Sequence, residues 1–182
     1  MIIIMSGKFA EQLVKRADKR CVMEKGAFLF HEGDDVQSVF IVEEGVVELT
    51  RPQLDGTAIT LQRAAELTVL AEASVYSQVY HCDAVASTPA LVSQLSKTAF
   101  LAYLKQDQKF SGLWSAHLAK AVQSARYRSE ILAKKTVRER LDAWLAFVEH
   151  EMPAKGHWKS VAEQIGVSPE ALYREMARRS KS

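Results

Sequence analysis

The sequence predicts an α+β protein: an N-terminal antiparallel β-roll (jelly-roll-like), a long helix, and a small C-terminal helical domain built on a helix-turn-helix. Three observations predict it. Between residues 20 and 95, short apolar runs alternate with turns rich in Gly and acids. From residue 108 to 135 there is no proline, and apolar residues step by three and four. After Trp158, two short amphipathic segments flank Gly166-Val167-Ser168-Pro169. The expected parts are therefore 6–107, 108–135 and 136–182.

Taken in order, residues 6–19 have helical spacing through Phe9, Leu13 and Ala17. Strand-type runs follow at 21–23, 28–30, 39–42, 46–49 and from 58 to 61. Turn punctuation separates them: Lys25-Gly26, Glu32-Gly33-Asp34-Asp35, Glu43-Glu44-Gly45 and Pro52-Gln53-Leu54-Asp55-Gly56. Strands resume at 84–86 and 91–95 around the Thr88-Pro89 turn, and a short helix covers 98–104. Short strands at regular spacing suit a small barrel or sandwich.

Trp114, Leu118, Ala121, Ala125, Arg128 and Leu132 lie on one seam of the long helix. At ~1.5 Å per residue that helix reaches about 40 Å, longer than a small barrel needs for cover. It either lies on its own β-domain or pairs with its copy in a second subunit. On the second reading Trp114, Leu118, Ala121, Ala125 and Leu132 form the dimer interface, the two alanines permitting close approach. Thr136 caps the next helix, carried by Val137, Leu141, Trp144, Leu145 and Val148 and ending near Pro153 and Gly156.

In the last segment Val161, Ala162 and Ile165 give the first short helix one apolar face. Gly166 stands where the chain must take positive φ. Ser168 is an N-cap, Pro169 fits the first helical position, and Glu170 lies in the first turn, where the helix dipole favours an acid. Leu172 and Met176 form the second helix's buried stripe. This layout matches a helix-turn-helix, whose second helix enters the DNA major groove. Glu170 and Arg174 are residue types that read base edges, and Arg178, Arg179 and Lys181 can neutralise phosphates. The same cations also suit a solvated helix end at the negative pole of the dipole.

The composition fits a globular chain, with 48% hydrophobic residues. A net charge of +2 says little alone, but charge is segregated. Lys120, Arg126, Arg128, Lys134, Lys135, Arg138 and Arg140 crowd one stretch, whereas Glu32, Asp34, Asp35, Glu43, Glu44, Glu48 and Asp55 mark the N-terminal half. Cys21 and Cys82 make neither a disulfide framework nor a metal-ligand spacing. The opening apolar residues are too few for a signal sequence, and no run approaches the ~20 residues that span a bilayer. A cytoplasmic protein with no membrane partner is expected. No nucleophile-base constellation or phosphate loop appears, so an enzyme is not expected.

The order of these parts resembles the CRP/FNR family of bacterial transcription regulators. Glu32-Gly33-Asp34 and the run from Val39 through Gly45 to Leu49 look like the family's β-roll signature. Residues 161–174 look like its DNA-reading motif, and the resemblance spans about residues 9 to 179. It implies a homodimer on double-stranded DNA at a near-palindromic site, a small-molecule effector, and RNA polymerase as a further candidate partner. Ser168, Glu170 and Arg174 fit the family's recognition helix, with Tyr173 and Arg178 on the same helix; Pro169 replaces its first Arg.

The effector residues depart from the family pattern. Its cyclic-nucleotide sensors carry Gly-Glu for the ribose and, about ten residues on, Arg-Ser for the phosphate. Here the matching positions are Ala71-Glu72 and Cys82-Asp83, and the base-contacting Thr-Ser pair is replaced by Ala125-Arg126. An Asp beside a phosphate in a partly desolvated pocket is repulsive. A pocket of Glu72, Cys82, Asp83 and Arg126 is therefore not expected to bind cyclic AMP, and the effector is unassigned. Two cysteines exclude a four-thiolate iron-sulfur cluster within one chain. Haem needs only one or two axial ligands; His31, His81, His117 and Cys82 are the candidates, each histidine also read as a surface or turn residue. The family's wing hairpin would follow the recognition helix. The chain ends at Ser182, leaving no room for it, so weaker DNA binding is expected. A rival reading is a sensory module that binds a ligand or partner protein and not DNA.

Overall fold

The computed structural model describes residues 3–147 and 152–180. In chain order, α1 (Ile3–Val14) leads to β1 (Lys19–Met23), β2 (Phe28–Phe30), β3 (Ser38–Glu44), β4 (Val47–Pro52), β5 (Ala58–Ala64) and β6 (Thr68–Leu70). A 3-10 turn at Glu72–Ser74 precedes β7 (Asp83–Ala86) and β8 (Ala90–Ser96). Longer helical elements follow: α2 (Lys97–Gln106), α3 (Gln108–Ala133), α4 (Val137–Phe147) and, after a 3-10 turn at Lys155–His157, α5 (Trp158–Gln164), with α6 (Pro169–Arg179) last. The α+β expectation of a β-roll, a long helix and C-terminal helices is met.

The strands make two four-stranded antiparallel sheets, ordered β1-β8-β3-β6 and β2-β7-β4-β5. Between them lies an apolar core including Phe30, Phe40, Val42, Leu49, Leu70 and Val92. The other face of the first sheet is covered by helices. There Val39, Ile41, Val69 and Leu95 pack with Phe9 and Leu13 of α1, Phe100 of α2, and Phe110 and Trp114 of α3. Burial on both faces explains why residues 39–42 are a continuous apolar run, whereas β4 in the second sheet alternates buried and half-buried positions. Gly45 is required between β3 and β4. Its φ is +77°, and a Cβ there would strike the backbone of Pro89 and Ala90.

Some boundaries differ from expectation. The first helix ends at Val14, before Ala17; the amides of Arg16 and Ala17 bond back to the Leu13 and Val14 carbonyls, and Asp18 N–H donates to Gln94 in the sheet. Pro52, expected in a turn, ends β4, which extends through Thr50 and Arg51. The three-residue β6 was not anticipated; it follows Leu67, whose φ is +58°. Thr136 caps α4 as expected, and Glu139 completes a capping box: Thr136 N–H donates to Glu139 at 2.9 Å and Glu139 N–H to Thr136 Oγ1 at 3.2 Å. Val148 and Lys181 lie outside the described residues.

The chain divides into two compact units between Leu118 and Ala119, within α3. The second has its own core of Ile131, Leu141, Trp144, Val161, Ala162, Ile165 and Leu172. No helix among the described residues is long and apolar enough to cross a membrane.

Candidate nucleic-acid interface and effector pocket

The turn between α5 and α6 is built by backbone chemistry local to a few residues. Val167 N–H donates to Ala162 at 3.0 Å and Gly166 N–H to Glu163 at 3.3 Å, a Schellman closure with Gly166 at φ +65°. Ser168 Oγ then accepts from Ala171 N–H at 3.2 Å, and Pro169 begins α6. Leu172 is fully buried, with Met176 partly buried beside it. Ser168, Glu170, Tyr173, Arg174 and Arg178 are exposed and Pro169 is half-buried. Glu170, Tyr173, Arg174 and Arg178 thus share one face of α6. Trp158 packs on Tyr173 with ring centroids 5.2 Å apart, and Lys155 Nζ lies 6.0 Å over the same ring. Glu170 is held below the usual carboxylate range by its backbone N–H, the Ser168 hydroxyl and the charge of Arg174.

Not every cation of α6 is turned to solvent. Buried Glu175 binds Arg178 Nη2 at 2.6 Å and Arg179 Nε at 3.0 Å, while Arg179 Nη2 also reaches Asp142 at 2.7 Å. Burial pushes the Glu175 carboxyl up, but the bonds from Arg179 and Arg178 outweigh it and leave its pKa lowered. Arg179, expected to serve phosphates, instead ties α6 to α4. Its partner lies at i−4, a spacing legible in sequence, but only burial reveals that Glu175 faces inward.

In the first unit, Glu72 opens the 3-10 turn behind Ala71, whose φ of +68° is left-handed, where the sensors named above have Gly. Glu72 Oε2 is buried without a hydrogen-bond partner among the described residues, and burial pushes its pKa up. Cys82 is buried in the inter-sheet core; burial pushes its thiol up, and the charge of Arg51 acts the other way. Asp83 is not free to face a ligand with both oxygens. Its Oδ1 accepts from Glu32 N–H at 2.8 Å and lies 3.6 Å from His31 Nδ1, fastening the Glu32-Gly33 turn. Arg51 Nη2 donates to the His81 carbonyl at 3.0 Å. The cation acting on Cys82 therefore comes from β4, a neighbour that local reading of residues 71–83 did not name. Arg126 is exposed on α3 in the second unit.

Residues 20–107 match the family model of the cyclic nucleotide-binding domain. FixK2 from Bradyrhizobium japonicum is similar over 90% of this chain and 84% of its own, at 16% identity and a TM-score of 0.71. The c-di-GMP-responsive global regulator CLP of Xanthomonas campestris matches at 15% identity over 96% and 91%, with a TM-score of 0.66. A CRP-family transcriptional regulator from Thermus thermophilus matches at 20% identity over 90% and 85%, with a TM-score of 0.61. The chain has the CRP/FNR fold. Among curated protein sequences no significant match is found.

Within this CRP/FNR fold the long helix corrects part of the expected dimer seam. Trp114 is only 4% exposed, edge-on to Phe100 at 5.0 Å and tilted against Phe9 at 5.4 Å. Leu118 is partly buried against the same cluster. Both turn into their own domain because the helix-covered sheet needs that apolar surface. Farther along, Ala121 is half-buried, while Val122, Ala125 and Leu132 are exposed. Val122, 49% exposed and absent from the expected seam, joins Leu132, 39% exposed, as a large apolar side chain left uncovered on that stretch.

Of the haem candidates, His81 and Cys82 adjoin Asp83, which His31 Nδ1 approaches, whereas His117 stands apart on α3. His81 Nδ1 is 2.7 Å from Ser74 Oγ, His31 is tilted against Phe28, and His117 packs against both Phe9 and Trp114 with both ring nitrogens buried and unpartnered among the described residues. No group of three or more metal-ligating side chains occurs among the described residues.

Proposed function

We propose that the protein is a homodimeric DNA-binding transcription regulator whose recognition helix is α6 and whose β-roll senses an effector other than cyclic AMP. The observation that carries this is the exposed face of α6, with Glu170, Tyr173 and Arg174 on a capped helix fixed to its domain by Leu172 and Glu175. A carboxylate accepts from cytosine N4 and an Arg grips guanine O6 and N7. A symmetric dimer would place two such helices on half-sites about one DNA turn (~34 Å) apart. The cytoplasm, where thiols stay reduced, suits the free Cys21 and Cys82. RNA polymerase is a further candidate partner on this reading, and no catalytic role is assigned.

Selection from a random duplex pool tests it. Wild type is expected to enrich a near-palindrome. Arg174→Ala should relax preference at particular positions at a cost of about 1–3 kcal/mol. Arg178→Ala should weaken binding to all sequences alike and flatten the salt dependence. No enriched motif would favour the sensory module without DNA binding.

Pairing is assigned to the α3 stripe of Ala121, Val122, Ala125 and Leu132, at helical spacings of one face. Ala125→Glu, which places a charge in that contact, is expected to convert a dimer to a monomer at tens of micromolar (order of magnitude). Light scattering reads this directly, and a monomeric wild type would refute the assignment.

In the pocket, Cys82 and Asp83 supply no cation for a cyclic phosphate, and Asp83 already serves the Glu32 amide. Titration calorimetry should show no cyclic AMP binding tighter than about millimolar, roughly −4 kcal/mol. Micromolar binding would overturn this reading of residues 71–83.

A further inference from the structure

We infer that Arg140 is a positioning residue for DNA reading, locking the end of the long helix to the helix-turn-helix turn and so setting the separation of the two recognition helices. The inference rests on the DNA-binding reading above.

Arg140 stands in the first turn of α4 and spends its guanidinium on four backbone carbonyls. Nε donates to Lys134 at 3.0 Å and Nη2 to Leu132 at 3.1 Å, both at the end of α3. Nη1 donates to Gly166 at 2.8 Å and Ile165 at 3.3 Å, at the end of α5. No carboxylate pairs with it among the described residues. The last carbonyls of a helix lack intrahelical donors and carry the negative end of its dipole. One planar cation with five donors thus serves two helix C-termini, a task that a single ammonium cannot perform with the same geometry. Leu132 adds a second tie: a Cβ on Gly166 would come within 2.6 Å of its Cδ2.

Only Val167 separates Gly166 from Ser168, the cap of α6. The start of α6 is therefore referenced to the end of α3 through Arg140. If α3 pairs with its copy, as proposed, that reference fixes how far apart and at what angle two α6 helices stand. Loss of Arg140 should leave each half-site legible but let the spacing between half-sites vary.

The experiment uses the full chain, wild type, Arg140→Gln and Arg140→Lys, in two arms. In the first, palindromes selected by wild type are rebuilt with one base pair added or removed at the centre, which turns one half-site by about 35°. Wild type is expected to lose about tenfold or more in affinity, and Arg140→Gln to bind all spacings within about threefold, with its preference at the Arg174-read position retained. A merely stabilising role would lower all affinities together and leave spacing discrimination intact.

The second arm needs no DNA. Amide hydrogen exchange of the free variants should quicken together at residues 132–137 and 165–168, while residues 172–176 keep their protection. Arg140→Lys, which keeps charge and stem, should fold and still loosen at least one of the two segments. Unchanged spacing discrimination in Arg140→Gln overturns the inference, as does exchange that rises in only one segment of that variant or in neither segment of Arg140→Lys. A wild type that enriches no DNA site refutes the DNA-binding reading, and with it spacing control. The exchange arm then still decides whether Arg140 couples the two helix ends.

Discussion

Gly166→Val is expected to destabilise the second unit by about 2–4 kcal/mol, from left-handed strain and overpacking together. Gly166 has φ +65°, and a side chain there meets Leu132 Cδ2 at 2.6 Å and Arg140 Nη1 at 3.3 Å. A β-branched residue is the least tolerant of that conformation. Gly156→Val is the matched control. Gly156 has no positive φ and open space around its Cβ direction, so that substitution should stay within about 0.5 kcal/mol of wild type. Urea unfolding of the two variants, followed by tryptophan fluorescence, measures the difference. Equal midpoints would show that the turn tolerates a side chain and that Gly166 is not a requirement of the helix pair.

Glu72→Met is expected to stabilise the first unit by about 1–3 kcal/mol at pH 8, with a smaller gain near pH 4. Glu72 Oε2 is buried with no partner among the described residues, so ionisation there is costly. Burial raises the folded pKa above the ordinary value of 4.5. A carboxyl raised on folding contributes stability that is complete below its unfolded pKa and is lost as pH rises through the folded one. Wild type should therefore carry a destabilising slope above the ordinary carboxylate range that Glu72→Met lacks. Denaturation midpoints of both proteins from pH 4 to 8 check it; parallel curves would place Glu72 in contact with solvent.

Local chemistry was legible in the sequence wherever cause and effect lie within a few residues. Gly166, Ser168 and Pro169 define the turn through bonds spanning three to five positions, and Thr136 begins α4 by the same logic. The apolar run at 39–42 marked a strand, although its burial on both faces follows only from the helices packed over the first sheet. Residues 114–132 marked one long helix, but periodicity is the same for a stripe that meets its own domain and one that meets another. Only packing put Trp114 in the first core and left Val122 outside it.

Contacts between distant segments were decided by tertiary structure alone. Glu72 and Cys82 were found by their place in a motif, yet the cation beside Cys82 is Arg51, brought there because β4 pairs with β7. Arg140 read as one more member of a basic stretch until four carbonyls from two helix ends converged on it. Caps and turns are short-range and write themselves into neighbouring residues. Which surface a side chain covers, and whose carbonyl it reaches, depends on how separate elements meet, and a single sequence records no such distances.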